Sequence, residues 1–331
     1  MGKAPIKITV TGSAGQIAYS LLFRLAYGDL IGEGQPLIIY LQDISGTEAK
    51  LEGIVMELTD CDFPLLERVD FGSRLDDAFE STDIALLIGS KPRTAGMLRK
   101  DLLGENGKIF VEQGKALNRV AKRDVKVFVV GNPCNTNCLV AMHHAPDLPR
   151  KNFHAMMRLD HNRAKALLAQ KADVESSLVK GMVVWGNHSA TQVPDFTQVT
   201  IDGVEAIKKI PDLEWHQKEF LEVVQNRGAM VIEKLGRSSA ASAANAALDD
   251  IRSLYTATER GEWFSSAVCS DENPYGVEKG LIFGFPCASK GDGSYAIVPG
   301  LKWDEFICQK IALSEKELME ERAFCKSKGL I

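Results

Sequence analysis

The sequence has no stretch of 18 apolar residues, no pair of cysteines spaced as CxxC and no excess of basic residues. A transmembrane helix needs about 20 consecutive apolar residues, and the first residues lack the apolar run of a signal peptide. We therefore expect no membrane association and a cytoplasmic location. The formal net charge is −5 and the basic residues are scattered, which argues against a nucleic-acid partner because phosphate binding needs a basic face.

The seven cysteines form an odd set in which the closest pair, Cys134 and Cys138, is four residues apart. This pattern is typical of small buried hydrophobic residues in a reducing compartment, and it does not fit a zinc site. We predict no disulfide framework and no bound metal.

The first half of the chain alternates short apolar segments with helical patterns, and its 331-residue length allows two domains. This alternation predicts an α/β fold with a mostly parallel sheet that is covered on both faces. Ligands of such sheets bind at the carboxyl ends of the strands. The apolar segments predicted as strands are 6–10, 37–43, 83–89 and 125–133, and helices are predicted over 17–29 and 49–60.

The pattern changes near residue 153, where we place a boundary between an N-terminal domain, 1–154, and a mixed α/β domain, 155–331. The sequence "KGDG" predicts the turn of an antiparallel hairpin. Ser314 and Glu317 have the spacing of a capping box, which predicts a last helix over 315–327. Other elements are predicted as helices over 161–172, 220–235 and 239–254, and as one strand and turn over 179–189.

"VTGSAGQIA" follows the first predicted strand and contains Gly12, Gly15 and Ala18. A glycine turn that opens a helix presents free N–H groups and a positive helix dipole to a phosphate. An ordinary tight turn has the same pattern. Asp43, at the end of the second strand, favours the cofactor interpretation, because a carboxylate there accepts the ribose hydroxyls and repels a 2′-phosphate. Together they predict NAD rather than NADP.

A second group of residues has the composition of a proton-transfer site. Asp160 and Arg163 are three apart near a helix start, and His188 follows a strand in the sequence "VVWGNHS". Asp160 and Arg163 are equally typical of an ion pair at a helix start, and a lone histidine more often lies at the surface or in the core than in a catalytic site. If Asp160 meets His188, the carboxylate fixes the ring tautomer and stabilises the protonated ring. Such a pair exchanges a proton with an alcohol while a hydride leaves the carbon.

The segment "KPRTAGMLRK", 91–100, carries Arg93 and Arg99 around a glycine with no acidic residue. It is typical either of a solvated basic loop or of an anion-binding loop.

Five segments in order resemble the lactate/malate dehydrogenase superfamily and, within it, the cytoplasmic-type malate dehydrogenases. The resemblance extends from residue 5 to the end of the chain. It implies a Rossmann NAD-binding domain, a mixed α/β catalytic domain, a mobile loop over the substrate and a homodimer. It also implies reversible oxidation of (S)-malate to oxaloacetate, a step of the tricarboxylic acid cycle. The segments are "TGSAGQIAYSLLFR", "PRTAGMLRKDLL", "VVGNPCNTNC", "RLDHNRAKA" and "VVWGNHS".

The same resemblance implies a role for each matching residue. His188 is the proton donor and acceptor, and Asp160 orients it. Arg163 binds the carboxylate beside the reacting carbon, Arg99 polarises the carbonyl, and Arg93 takes the distal carboxylate. The residues implied in NAD and substrate contacts are Gly12, Ser13, Ala14, Gly15, Gln16, Ile17, Ala18, Asp43, Asn106, Gln113, Val130, Gly131 and Asn132, the last of which also binds substrate.

Three positions depart from the family pattern: Ala18 replaces a common glycine, Cys134 a common alanine, and Thr94 a basic or polar residue. We assign no role to Thr94. Three guanidinium groups fit a dicarboxylate substrate, since planar guanidinium binds carboxylates through paired hydrogen bonds. The alternatives are a lactate dehydrogenase-like enzyme, which needs a neutral residue at position 93, and a non-catalytic NAD-binding sensor.

Overall fold

The computed structural model describes residues 3–32, 34–91 and 99–331, and of residues 99 and 100 it describes only the backbone. The strands in this part of the chain are β1 Ile6–Thr11, β2 Leu37–Gln42, β3 Leu66–Gly72, β4 Ile84–Leu87, β5 Lys126–Val129, β6 Phe153–Ala155, β7 Val179–Lys180, β8 Val183–Trp185, β9 Val193–Asp195, β10 Thr200–Ile201, β11 Val204–Glu205, β12 Phe264–Cys269, β13 Ile282–Ala288 and β14 Ala296–Ile297.

The helices account for most of the remaining described chain. The α-helices are α1 Gln16–Tyr27, α2 Glu48–Asp60, α3 Leu75–Phe79, α4 Arg99–Val120, α5 Cys134–His143, α6 Arg158–Ala172, α7 Ala206–Lys209, α8 Leu213–Trp215, α9 Leu221–Leu235, α10 Ala241–Tyr255 and α11 Glu305–Ser327. Three 3₁₀ segments lie at Arg150–Asn152, Ser176–Leu178 and Phe196–Gln198, and a π-helical turn, His216–Phe220, leads into α9.

A nine-stranded sheet forms the centre of the molecule, in the order β14-β13-β12-β6-β5-β4-β1-β2-β3. The six strands from β3 to β6 pair in parallel, with β1 between β2 and β4. This is the doubly wound order in which the strand sequence reverses beside β1, so the crevice for a ligand opens at the carboxyl end of β1. The predicted α/β fold with a Rossmann sheet is confirmed.

The sheet continues from the first half of the chain into the second. β6 pairs antiparallel with β12, which pairs antiparallel with β13, and β13 in turn pairs with β14 across the predicted hairpin. Two smaller antiparallel sheets, β11-β10-β7 and β8-β9, complete the second half. The boundary near residue 154 therefore falls within a continuous sheet, and it stays a prediction.

Helix α1 shows how the sequence pattern produces the packing. Its buried residues recur every three or four positions, so they form one stripe against the sheet. The stripe comprises Ala18, Leu21, Leu22, Leu25 and Ala26. The helix ends at Gly28, whose φ of 100° is the left-handed conformation that glycine adopts readily.

Helix α10 contains the small-residue run that predicts close packing. Ala243, Ala244, Ala246 and Ala247 are buried, and the helix packs against α1 and α6. Small side chains let the helix axes approach, and Arg24 of α1 reaches across to donate to Asn245 at 2.5 Å. The predicted close packing is confirmed within this chain.

Two predicted elements were wrong. The segment 179–189 is split into β7 and β8, which lie in different sheets because Gly181 turns the backbone with a φ of 72°. The last helix begins at Glu305, ten residues before the predicted start, and Asp304 caps it by accepting from the N–H of Ile307 at 2.8 Å. Ser314 and Glu317 therefore lie inside α11.

Five of the seven cysteines are buried as predicted, whereas Cys61 and Cys308 are exposed. Cys61 is exposed because it follows the last turn of α2 at the surface. Burial raises the pKa of the Cys138 and Cys287 thiols well above the usual value. No helix within the described ranges combines the length and apolar composition needed to span a membrane.

Candidate active site

The glycine turn between β1 and α1 lies at the reversal of the sheet. Gly12 has a φ of 68°, and a Cβ built on it lies 2.4 Å from the Cα of Gly89, which follows β4. Only a residue without a side chain allows this approach. The N–H of Gly15 donates to the Gly12 carbonyl at 2.9 Å and places the first turn of α1 over the crevice. The turn is therefore packed directly against the backbone of the segment that follows β4.

The residues around these glycines differ in how far they are buried. Ser13 is fully buried, and its hydroxyl donates to the Val10 carbonyl at 2.7 Å. Ala18 is fully buried against the sheet, as expected for the small residue of the motif. Ala14 and Ile17 are half-buried, and Gln16 is exposed at the helix start. The outward face of the turn is therefore formed by backbone and by the exposed first residues of α1.

Asp43 lies directly beside the turn. One carboxylate oxygen accepts from the N–H of Ala14 at 2.8 Å, and the other accepts from the N–H of Ile44 at 2.7 Å. The first contact joins the end of β2 to the glycine turn, although 29 positions separate the two residues. A carboxylate has about four acceptor sites, so acceptor capacity remains for ribose hydroxyls. A carboxylate at the end of the second strand of such a sheet disfavours a 2′-phosphate on the adenosine ribose.

Asn106 and Gln113, on α4, are both buried. The Asn106 amide is occupied by backbone: its oxygen accepts from the N–H of Lys91 at 2.8 Å, and its nitrogen donates to the carbonyl of Asn132 at 2.8 Å. Gln113 differs, because its side-chain oxygen is buried without a partner among the described residues. Asn106 thus fixes two site segments, while Gln113 offers an unused acceptor.

The segment after β5 continues towards the site. The N–H groups of Val130 and Gly131 donate to the carbonyl of Leu87 at 2.9 and 3.2 Å, which keeps this segment beside β4. Asn132 is exposed and precedes Pro133 through a cis peptide bond. Its side chain is therefore available to a ligand.

The structure brings Asp160 and His188 into contact. Asp160, in the first turn of α6, is fully buried, and its carboxylate contacts Nδ1 of His188, which is 14% exposed. Arg163 lies 3.2 Å from the other oxygen of the same carboxylate. Burial by itself would raise the pKa of Asp160, but His188 and Arg163 hold it below the usual value. The carboxylate therefore stays charged, and its contact with Nδ1 directs Nε2 of the ring away from it.

Arg163 is also held by a residue that the sequence patterns missed. Its guanidinium donates to the hydroxyl of Ser239 at 3.3 Å. Both residues line a cavity of about 260 Å³, to which Arg227 of α9 also contributes. The signal for Ser239 was its place in the serine- and alanine-rich segment before α10, which we interpreted only as a packing surface.

The side chains of two predicted substrate residues lie outside the described part of the chain. Arg93, with Thr94, lies outside the described residues, and only the backbone of Arg99 is described, as the first residue of α4. Their roles stay predictions. No group of three or more potential metal ligands occurs within the described residues.

Sequence patterns also missed the residues that hold the loop around His188. The N–H of His188 donates to the side-chain oxygen of Asn135 at 3.0 Å, and Asn135 lies in the first turn of α5. Asn135 is hydrogen-bonded to His188, which lies 53 positions later in the chain, and to Ile282, which lies 147 positions later. Such distant contacts leave no local pattern in the sequence.

The residues present fit a dinucleotide. The turn at Gly12 and Gly15 presents backbone without side chains at the start of α1, Asp43 provides a fixed carboxylate, and Gln113 has a buried acceptor without a partner among the described residues. Together with a histidine–carboxylate pair and a neighbouring arginine, this arrangement can hold a nucleotide and move a proton at an anionic substrate.

Comparisons with known proteins agree with this geometry. Residues 6–154 match the lactate/malate dehydrogenase NAD binding domain, and residues 157–327 match the lactate/malate dehydrogenase alpha/beta C-terminal domain. A malate dehydrogenase of Protochlamydia amoebophila is 54% identical over 323 residues, which covers 98% of both chains.

Two solved structures are also similar. The malate dehydrogenase of Naegleria fowleri is 41% identical, with a TM-score of 0.95 over 99% of this chain and 100% of that one. The lactate dehydrogenase of Trichomonas vaginalis, in complex with NADH and oxamate, is 34% identical, with a TM-score of 0.94 over 98% of each chain.

Proposed function

We propose that this chain, which belongs to the lactate/malate dehydrogenase family, catalyses the NAD-dependent, reversible oxidation of (S)-malate to oxaloacetate. The observation that carries the proposal is the Asp160 carboxylate shared by His188 and Arg163. This arrangement places a proton carrier beside a carboxylate-binding group. The curated relatives at more than half identity have the name malate dehydrogenase.

His188 performs the proton transfer in this mechanism. In malate oxidation the neutral ring takes the proton of the substrate hydroxyl, and in oxaloacetate reduction the protonated ring returns it. Asp160 holds the ring through Nδ1 and stabilises the charged form, as a buried carboxylate does for an imidazolium. Bound NAD supplies the hydride acceptor. Gly12, Asp43 and Gln113 would hold it.

The arginines position the substrate and provide its specificity. Arg163 binds the carboxylate next to the reacting carbon, Arg99 polarises the carbonyl, Asn132 donates a hydrogen bond, and Arg93 pairs with the distal carboxylate. Pyruvate lacks that second carboxylate, so it would leave the Arg93 guanidinium buried without a partner. An unpaired buried charge costs on the order of 3–5 kcal/mol, so one residue both attracts the dicarboxylate and rejects pyruvate.

The test is the oxidation of NADH, followed by absorbance, with oxaloacetate, pyruvate and 2-oxoglutarate. We expect oxaloacetate to have the highest kcat/KM. Pyruvate as the best substrate would favour the lactate dehydrogenase alternative. The support for that alternative is the similarity to the Trichomonas vaginalis lactate dehydrogenase. NADH binding without turnover on any of the three would favour the sensor.

Arg93→Gln separates selection from catalysis. The ratio of kcat/KM for oxaloacetate over pyruvate should fall by several orders of magnitude, at about 1.4 kcal/mol per tenfold. Arg99→Gln, the matched control, should lower kcat/KM for both substrates because it serves the carbonyl they share. Equal losses on both substrates in Arg93→Gln would remove Arg93 as the specificity residue.

The proposal includes a homodimer. Its support, beyond the resemblance, is exposed apolar surface on two adjoining helices: Tyr19 of α1 is 42% exposed and Met56 of α2 is 65% exposed. The Tyr19 hydroxyl donates to Glu57 of α2 at 2.6 Å, so the two helices adjoin there. Met56→Glu should convert the dimer to monomer in light scattering. Leu313→Glu, at an exposed position of α11, should leave the dimer intact.

We further propose a cytoplasmic location and a place at the malate–oxaloacetate step of the tricarboxylic acid cycle. Cys61 and Cys308 are exposed without forming a disulfide, which fits a reducing compartment. Fractionation of cells, with activity measured in each fraction, tests the location. The two parts, 1–154 for the cofactor and 155–331 for the substrate, are proposed as the functional domains.

A further inference from the structure

The last helix, α11, contacts the loop that carries His188, residues 187–191. One oxygen of Glu317, on α11, accepts from the side chain of Asn187 at 2.8 Å, and the same oxygen accepts from the hydroxyl of Ser189 at 2.5 Å. It also accepts from the hydroxyl of Thr191 at 2.7 Å. Glu317 therefore contacts residues on both sides of His188.

The backbone of the loop is fixed by the same helix. The N–H of Asn187 donates to the hydroxyl of Ser314 at 2.8 Å. Gly186 approaches this hydroxyl so closely that a Cβ on it would lie 2.1 Å from the Ser314 oxygen. Ser314 and Glu317 are one helical turn apart, so they face the loop together.

A third acidic residue of α11 connects this contact to the rest of the site. Glu321 contacts the hydroxyl of Thr136, and it lies 3.4 Å from the side-chain nitrogen of Asn187. Thr136 follows Asn135, whose side-chain oxygen accepts a hydrogen bond from the N–H of His188. The loop is thus held between α11 and α5, while Asp160 holds the ring from α6.

We infer that Glu317 is a positioning residue for the reaction: its carboxylate holds the side chains on both sides of His188 and so sets the position of the catalytic ring. A carboxylate accepts but does not donate, so all three donors must point at it. Hydrogen bonds to a charged acceptor are about twice as strong as neutral ones. Loss of this anchor would let the ring move, and a displacement of about 1 Å of a catalytic group can cost about 100-fold in rate.

This inference rests on the proposed function, because turnover of oxaloacetate is its readout. The test compares Glu317→Ala, Glu317→Gln and the control Glu320→Gln, at an exposed position of the same helix. The measurements are the Kd of NADH by fluorescence titration and kcat per NADH-binding site. Counting sites by NADH binding removes any misfolded fraction from the comparison.

We expect Glu317→Ala to keep the Kd of NADH within about twofold and to lose about 10- to 100-fold in kcat per site. The Gln variant keeps one acceptor oxygen, so it should lie between Ala and wild type, and Glu320→Gln should match wild type. Turnover of Glu317→Ala within twofold of wild type would overturn the inference. If the Ala variant does not fold, wild-type turnover in Glu317→Gln overturns it instead. Absence of oxaloacetate turnover in the wild-type chain would refute the proposed function itself.

Discussion

The glycine turn after β1 and the His188 loop after β8 are both short segments at the ends of strands, but they are held in different ways. The turn is fixed largely by backbone: Gly12 approaches Gly89, and one carboxylate, Asp43, accepts a backbone N–H. The His188 loop is fixed by side chains from α5, α6 and α11. The turn therefore tolerates little change in backbone, whereas the loop depends on distant side chains.

This difference suits the two tasks. A cofactor phosphate needs open N–H groups and a close approach to the backbone, which glycine allows by lacking a side chain. A proton carrier needs one ring orientation, which requires an oriented acceptor on one side and support on the other. Asp160 is fully buried and still charged because His188 and Arg163 lower its pKa against the effect of burial.

The largest expected effect comes from removing the ring at the centre of the loop. His188→Asn should lower turnover by about 10² to 10⁴-fold, since this is the usual contribution of a general acid–base group. Binding of NADH should be nearly unchanged, because the glycine turn is a separate structure. Steady-state kinetics and NADH titration measure both quantities. Near-normal turnover in this variant would show that the proton takes another route.

A smaller effect is expected from the carboxylate beside the turn. Asp43→Ser should narrow the preference for NADH over NADPH by about tenfold or more, which corresponds to about 1.4 kcal/mol. Asp43→Asn keeps the shape and an acceptor for the N–H of Ala14 but removes the charge, so it isolates the repulsion of the 2′-phosphate. The measurement is kcat/KM with both nucleotides. Comparable use of both by the wild-type chain would contradict the assignment.

The backbone character of the turn predicts a loss of stability in Gly12→Ala. Gly46 is the matched control, because its φ of 94° is also left-handed but nothing lies within 4 Å of a built Cβ. Both variants should lose roughly 1–2 kcal/mol for the left-handed conformation. Gly12→Ala should lose roughly 1–3 kcal/mol more for the contact with Gly89. Urea unfolding measures the difference, and equal losses would show that the close approach is not tight.

The smallest effect concerns His154, a buried histidine of β6. Burial on β6 lowers the pKa of His154 to about 3, below the value of about 6.5 in an unfolded chain. The unfolded state therefore takes up the proton first, and the free energy of unfolding falls as the pH drops from about 6.5 to about 3, by about 1.4 kcal/mol per pH unit. In His154→Phe, the fall between pH 6 and pH 5 should be about 1 kcal/mol smaller. An unchanged fall in urea unfolding would remove His154 from the acid sensitivity.

The comparison of the two regions also explains how much the sequence could predict. The glycine turn, its neighbouring strand and Asp43 depend on local patterns, so they were predicted with their positions. The contact of Asp160 with His188 is a condition for the predicted proton transfer, and the structure contains this contact. Glu317 was interpreted as a helix cap because its spacing from Ser314 fits one, whereas its partners lie more than 120 positions earlier in the chain.

Strands were predicted where apolar residues run continuously, and β3 was missed because it contains few of them. Its sequence, LERVDFG, is partly exposed as the edge strand of the sheet. An edge strand has one neighbour, and charged residues are common there. The short strand β6 is only three residues long, so its length leaves little periodicity to recognise.

The central claim, that one histidine carries the proton in both directions, is tested most directly by the pH dependence of kcat/KM for both reactions of the wild-type chain. Reduction of oxaloacetate needs protonated His188, so its kcat/KM should fall as the pH rises. Oxidation of malate needs the neutral ring, so its kcat/KM should fall as the pH drops, with both profiles governed by the same group. Profiles that change in the same direction would contradict the account.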